Sequence, residues 1–272
     1  PTEFELYYRA GDHEYRYALS VHADEIVSEG LWRRKLGASR TAMLFEREGA
    51  EVLLGPTLRK LVTAAKFNPS LPYLSFLCIN FDVPVVKEAA SWFLDGVFLN
   101  YNSSYLEQML EQLLDEDDSP EVTRFLRAVD VRIDGFRVER APEWRGQRVF
   151  VRHEVGGKAY ELRLSEESAG TQKLMGLAAY LMTALERGGT VVVDELDAKL
   201  HPKLLRYVIL LFKDPEVNKS GAQLIFSSQD VSTMRNDVFR RDEIWFAARG
   251  EGEASQLWSL ACLLYTSPSP RD

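Results

Sequence analysis

The stretch Thr190-Val191-Val192-Val193-Asp194-Glu195-Leu196-Asp197-Ala198-Lys199-Leu200-His201-Pro202-Lys203-Leu204-Leu205 decides how the chain folds. It opens with an unbroken β-branched run, the composition of a strand buried on both faces of a parallel sheet. Such a strand delivers its last residues to the carboxyl edge of the sheet, where ligands of open α/β sheets bind. A carboxylate there, Asp194, can hold Mg²⁺, and the next, Glu195, can take a proton from an attacking water. The same pair also suits a plain solvated strand end, so the segments on either side have to narrow the choice. Directly behind it, Lys203–Phe212 has the spacing of an amphipathic helix.

Two flanking segments narrow it. Leu164-Ser165-Glu166-Glu167-Ser168-Ala169-Gly170-Thr171-Gln172-Lys173-Leu174 reads as a small-residue loop opening a helix, with Leu174, Leu177, Ala178, Leu181 and Leu185 on its apolar face. Amides at a helix N-terminus favour an anion; Ser168 adds a hydroxyl, and Gly170 lets the backbone approach phosphate oxygens closely. Ser168 suits an ordinary helix cap as well. Gln223-Leu224-Ile225-Phe226-Ser227-Ser228-Gln229-Asp230 reads as an apolar strand ending in small hydroxyl residues. Lying beside the Asp194 strand, it would put Gln229 within reach of a phosphate or of the attacking water. Gly156-Gly157-Lys158 is a decoy for a phosphate-binding loop, because Arg152 and Ala159 stand where Gly and Ser or Thr are needed. It reads as a hairpin turn between Val149–Val155 and Lys158–Leu164. No other Gly-Lys-Ser or Gly-Lys-Thr occurs in the 272 residues.

Working outward, Phe4 to about Lys35 alternates apolar and polar residues around a turn at Ala10-Gly11-Asp12, an antiparallel meander. Ala42–Glu46 and Glu51–Leu54 add strands around an Arg47-Glu48-Gly49 turn. A helical pattern then runs from about Val85 through Leu114, its apolar positions Trp92, Phe93, Val97 and Phe98 reading as core. After the acidic run Asp115–Asp118, Ser119-Pro120 starts a helix through Val129. The last third alternates helix and strand three times over, the rhythm of an α/β sheet with crossover helices. The organisation expected is a single head over 1–261, with an antiparallel region at 1–84, a helical insertion at 85–148 and an α/β lobe at 149–261. The net charge of −8 and pI of about 5.2 provide no chain-wide basic field for nucleic acid or an anionic membrane. Nothing in the sequence has the length of a membrane span or the form of a secretory signal, which favours a cytoplasmic protein. Cys78 and Cys262 are too few for a disulfide framework. The opening at Pro1 reads as a cut, and Cys262–Asp272 resembles an in-frame translation of a transposase-type sequencing adapter.

Taken together, Val193–Leu205, Gln223–Asp230 and Phe239-Arg240-Arg241-Asp242-Glu243-Ile244-Trp245-Phe246 resemble the AAA-type ATP-binding proteins with ABC/SMC/RecF-like heads. The resemblance covers nearly all of Pro1 to about Leu260. It implies an α/β P-loop NTPase of ABC-ATPase head type, its phosphate-binding segment upstream, with an antiparallel β meander and a helical insertion. It further implies ATP and Mg²⁺, hydrolysis, and a head-to-tail homodimer in which each signature loop faces the partner's γ-phosphate. Carried over by position, Asp194 resembles the metal-site Asp of the Walker B strand and Glu195 the catalytic carboxylate. Ser168 and Gly170 stand at the signature's Ser and second Gly, Asp197 lies in the following loop, and His201 takes the place of the D-loop Asp. Glu167, Ala169 and Thr171 depart from the usual signature. Gln229 stands where a His is usual and cannot carry charge as an imidazolium can.

The resemblance implies service to nucleic-acid maintenance or phage defence, with DNA or RNA met through a partner or a local basic patch such as Arg33–Lys35, Arg235, Arg240 and Arg241. A second reading is a nucleotide-gated scaffold that recruits a separate effector protein with little turnover. A third is an α/β domain that binds no nucleotide.

Overall fold

The computed structural model of the chain describes residues 1–63, 65–100, 120–128, 133–140, 147–198, 200–250 and 255–265. The acidic run, the expected helix beyond residue 100, Lys199 and the last seven residues lie outside them. The chain divides into two compact units, Pro1–Val97 and Phe98–Asp272.

The first unit is the expected meander. Strands β1 (Thr2–Ala10), β2 (His13–His22), β3 (Glu25–Lys35), β4 (Ala42–Glu48) and β5 (Glu51–Leu54) lie in sequence order, each antiparallel to the next. The register sets Leu6, Tyr17, Leu31, Phe45 and Leu54 opposite one another, so the alternation of the sequence becomes an apolar row on one face. The short helix α1 (Pro56–Arg59) and helices α2 (Tyr73–Asn80) and α3 (Pro84–Asp95) supply the rest of this core through Leu58, Leu74, Leu77, Val86 and Ala89. Trp92 and Phe93 pack against it as expected, and the buried Tyr8 hydroxyl donates to the Ala89 carbonyl at 2.7 Å.

Arg47 departs from its expected place in a turn. It is a strand residue directly opposite Glu29, and both side chains are 0% exposed. Glu29 accepts the amides of Tyr73 and Leu74 at 2.6 and 2.9 Å and the Tyr17 hydroxyl at 3.1 Å, which places a carboxylate at the N-terminus of α2. The Arg47 guanidinium lies 3.2 Å from that carboxylate, donates to the carbonyls of Gly49, Leu71 and Pro69, and stacks over Phe67. Burial pushes the Glu29 carboxyl above its ordinary range, opposed by the two amides, Tyr17 and Arg47.

The helical pattern ends earlier than expected. α3 stops before Gly96, and β6 (Val97–Asn100) follows as a strand. A short apolar run fits either period, and here sheet pairing wins. Phe98, expected in the core, is 58% exposed.

In the second unit, helix α4 (Pro120–Ala128) precedes an antiparallel sheet of β7 (Gly135–Arg140), β8 (Gln147–Val155) and β9 (Lys158–Arg163). Gly156 and Gly157, at φ of 60° and 76°, make the β8–β9 turn, so the phosphate-loop decoy is a hairpin. Helix α5 (Ala169–Arg187) ends in a left-handed cap at Gly188, and the chain turns straight into β10 (Thr190–Asp194). Helix α6 (Pro202–Lys213) crosses over to β11 (Gln223–Phe226), which pairs with β10 in parallel from Thr190↔Gln223 to Val193↔Phe226. The sheet order is β11-β10-β6. Val191 and Val193 are buried, as are Leu174, Leu177, Ala178, Leu181 and Leu185 of α5. The last crossover helix is missing. Two 3-10 turns, Val231–Thr233 and Arg241–Glu243, replace it, because Asp230 accepts the Ser232 amide and hydroxyl at 2.7 and 2.8 Å and offers the backbone a turn instead. The strand that follows, β12 (Trp245–Arg249), pairs antiparallel with β13 (Ser255–Ser259) in a sheet of its own.

Candidate functional site

The parallel pairing of β10 and β11 continues one step past both strands. The Ser227 amide donates to Val193 O at 3.0 Å, and the Leu196 amide to Ser227 O at 3.0 Å. This sets the Ser227 hydroxyl between the two carboxylate residues: it donates to Asp194 Oδ1 at 2.5 Å and accepts the Glu195 amide at 2.7 Å. Glu195 has φ of 53°, a left-handed conformation that a non-glycine residue adopts only when its surroundings impose it. The imposing contacts are the Ser227 hydroxyl on its amide, a 2.9 Å bond from the Ala198 amide to its carbonyl, and the fully buried Leu196 beside it.

Gln229 reaches the same turn from β11. Its amide donates to Asp197 Oδ2 at 3.2 Å, and its side-chain Nε2 to Glu195 Oε1 at 3.4 Å. Asp194, Glu195, Asp197 and Gln229 are therefore brought together. Asp197 Oδ1 is buried with no hydrogen-bond partner among the described residues. Ser232 holds the nearby Asp230 carboxyl below its ordinary range through its amide first and its hydroxyl second.

The other expected residues sit further off. His201 caps α6: its Nδ1 accepts the Lys203 amide at 3.2 Å, which places any single ring proton on Nε2. Ser168 caps α5, its hydroxyl 3.1 Å from the Thr171 amide and 2.8 Å from the Thr171 hydroxyl. A Cβ placed on Gly170 would meet only Ser168 Oγ, at 3.8 Å, so space is open above the loop. Among the basic candidates, Arg235 pairs with Asp237, Arg240 with Asp242 and Glu243, and Arg34 with Glu14, all within the chain.

Ser227 is the residue that sequence reasoning undervalued. Its only signal was a small hydroxyl residue just past an apolar strand. His153, whose Nε2 lies 2.5 Å from Glu167 Oε1, gave no signal of that pairing.

No group of three or more His, Cys, Asp or Glu side chains that could hold a metal ion occurs among the described residues. Mg²⁺ does not need one, because it commonly keeps its waters and takes one or two carboxylates plus substrate phosphates. Asp194, with its second carboxylate oxygen beside the one Ser227 holds, fits that role. A cavity of about 650 Å³ lies along β11, lined in part by Ile225, Phe226, Ser228, Asp230, Phe239 and Trp245.

A family model described as "AAA domain, putative AbiEii toxin, Type IV TA system" matches residues 1–235. The chain belongs to this family. Membership places it among the AAA-type ATPases, a class that binds and hydrolyses nucleotide, and the carboxylate turn after β10 stands where a parallel sheet presents its ligands. No curated protein matches the chain. Among solved structures, the SMC head domain from Thermotoga maritima is 13% identical, over 92% of this chain and 74% of that one, with a TM-score of 0.38. The Smc head domain with an extended coiled coil bound to the C-terminal domain of ScpA, from Pyrococcus furiosus, is 12% identical over 94% and 79%, with a TM-score of 0.40. RecF bound to ATP is 12% identical over 82% and 76%, with a TM-score of 0.28. No described helix of this AAA-family chain is long and apolar enough to cross a membrane.

Proposed function

We propose that this chain carries the carboxylate and signature parts of an ATP-hydrolysing head that dimerises head to tail around Mg²⁺-ATP. The observation that carries the proposal is the Ser227-pinned turn, which sets Asp194, Glu195 and Gln229 side by side at the carboxyl edge of a parallel sheet. Asp194 would hold Mg²⁺, which when bound offsets the charge that develops on the phosphates. Glu195 takes the proton of the attacking water, and Gln229, already bonded to that carboxylate, orients the pair for in-line attack. Asp197 and His201 line the approach to the partner head. A strand adding along β11, in the cavity beside it, would bring a phosphate-binding loop to the same carboxyl edge.

Ser168 and Gly170 serve the partner's nucleotide. Helix α5, at 19 residues, is roughly 28 Å long, and β10, at five residues, about 17 Å. Because only Gly188 and Gly189 join them, the helix runs back alongside the strand and its start overshoots Asp194 by on the order of 10 Å. That reach suits a γ-phosphate held by a second head.

The process served would be nucleic-acid maintenance or phage defence in the cytoplasm. The family's toxin–antitoxin description supports the defence side. The pairing of Arg235, Arg240 and Arg34 with acids favours contact with DNA or RNA through a partner over direct contact. Direct binding through phosphates would weaken steeply with salt. Gln229, standing where a His is usual, favours one variation, a nucleotide-gated scaffold that recruits an effector protein with little turnover.

Steady-state ATP hydrolysis by the full-length protein and its Glu195→Gln variant tests the proposal. Hydrolysis that falls at least about a hundredfold in the variant supports the engine. ATP-stabilised dimers with negligible turnover support the scaffold. Neither dimers nor turnover would sink both.

A further inference from the structure

His153 stands on β8, on the sheet face that carries the buried Val149 and Val151, with Tyr160 opposite it on β9. Its Nε2 lies 2.5 Å from Glu167 Oε1, in a pair whose side chains are 22% and 10% exposed. Glu167 is the residue before Ser168, and its backbone is tied at two more points. Its amide donates to Leu164 O at 3.1 Å, and its carbonyl accepts Gln172 Nε2 at 2.8 Å. Leu164, buried beneath the 3-10 turn Leu164–Glu166, anchors that turn on β8.

This arrangement answers an electrostatic difficulty in the sequence itself. The first amides of α5, those of Ala169 and Gly170, point out of the helix with no carbonyl to meet, and a carboxylate is the side chain such amides attract most strongly. Glu167 is near enough in sequence to turn onto them. Doing so would fill the open space above Gly170 and set a negative charge where a phosphate must approach. In the structure the carboxylate points instead to the sheet, where His153 meets it.

We propose that His153 is a positioning residue: by holding Glu167 against β8, it keeps the Ser168–Gly170 loop open to an anion. This rests on the reading of that loop as a phosphate-facing one, but the positioning can be measured without it. The pairing itself is a short contact between an imidazole nitrogen and a carboxyl oxygen, both largely buried.

The test has two parts. In the 272-residue chain, amide hydrogen exchange at Ala169 and Gly170 is compared among wild type, His153→Ala, His153→Gln and His153→Ala combined with Glu167→Gln. Freed by His153→Ala, Glu167 caps those amides and slows their exchange about tenfold. The Gln variant, which keeps a donor, restores wild-type exchange, and so does the double variant. Exchange that is unchanged or faster in His153→Ala overturns the proposal, since a loosened helix end speeds exchange. In the full-length protein, the same His153→Ala change lowers kcat for ATP about tenfold with KM within about twofold, and His153→Gln recovers it. Slowed exchange alongside a wild type that neither hydrolyses ATP nor dimerises with it would leave His153 as the loop's positioner and overturn the ATPase reading instead.

Discussion

Arg47→Met tests the physics of the first unit most directly. Methionine keeps most of the buried volume and removes the charge. The Glu29 carboxylate then stays fully buried with the Tyr73 and Leu74 amides and the Tyr17 hydroxyl as partners, and the carbonyls of Gly49, Leu71 and Pro69 lose their donor. Breaking a buried ion pair from one side costs about 3–5 kcal/mol, because the remaining charge is uncompensated. Against the roughly 5–15 kcal/mol that holds a domain together, that is a large fraction. Replacing both residues, Arg47→Met with Glu29→Met, should cost at least about 2 kcal/mol less than the sum of the single changes, since no lone charge remains. The pH dependence has a definite sign. Burial already raises Glu29's proton affinity in the folded chain, so its contribution is complete below the ordinary carboxylate range and falls as pH rises through the folded value. Removing Arg47 withdraws a charge that lowers that value, so the Arg47→Met loss shrinks as pH falls. Denaturant titrations, together with hydrogen exchange at the Tyr73 and Leu74 amides that Glu29 holds, measure all of this. A single-variant loss under about 1 kcal/mol, or additivity within about 0.5 kcal/mol, would refute the reasoning.

The other predictions concern the second unit. Gly188→Ala combines a left-handed φ of 76° with a Cβ 2.4 Å from Ser220 O, and thermal or denaturant unfolding should show a loss of about 2–4 kcal/mol. Ser227→Ala removes the hydroxyl that bridges Asp194 and the Glu195 amide; in the full-length protein, kcat for ATP should fall at least about tenfold with little change in nucleotide affinity, and unchanged kcat would count against the pinned turn. Gln229→His puts a chargeable group beside Glu195 and should raise the hydrolysis rate, whereas an untouched rate would mean that residue 229 does not limit turnover.

Much of this protein is legible in its sequence because the signals are local. Alternation laid out the meander, the β-branched run placed a buried strand ahead of Asp194 and Glu195, and Gly156-Gly157 marked its hairpin. Ser168 was legible as a cap by the same local logic. Periodicity failed where the segments were short or their hydrogen bonds had competing uses: Val97–Asn100 became a strand, and the residues around Asp230 folded into 3-10 turns.

What the sequence by itself determined is the order of elements and the chemistry stationed at their ends: two carboxylates after a buried strand, an amide after the next, and a small-residue loop at a helix start. Only the tertiary structure decided which groups act on those residues. Ser227 meets Glu195 across 32 residues, Tyr73 meets Glu29 across 44 and His153 meets Glu167 across 14. In none of these pairs do the two partners lie on the same helix or strand. The partners were chosen by sheet register and by the need to satisfy buried polar groups, and neither exists until the strands have paired.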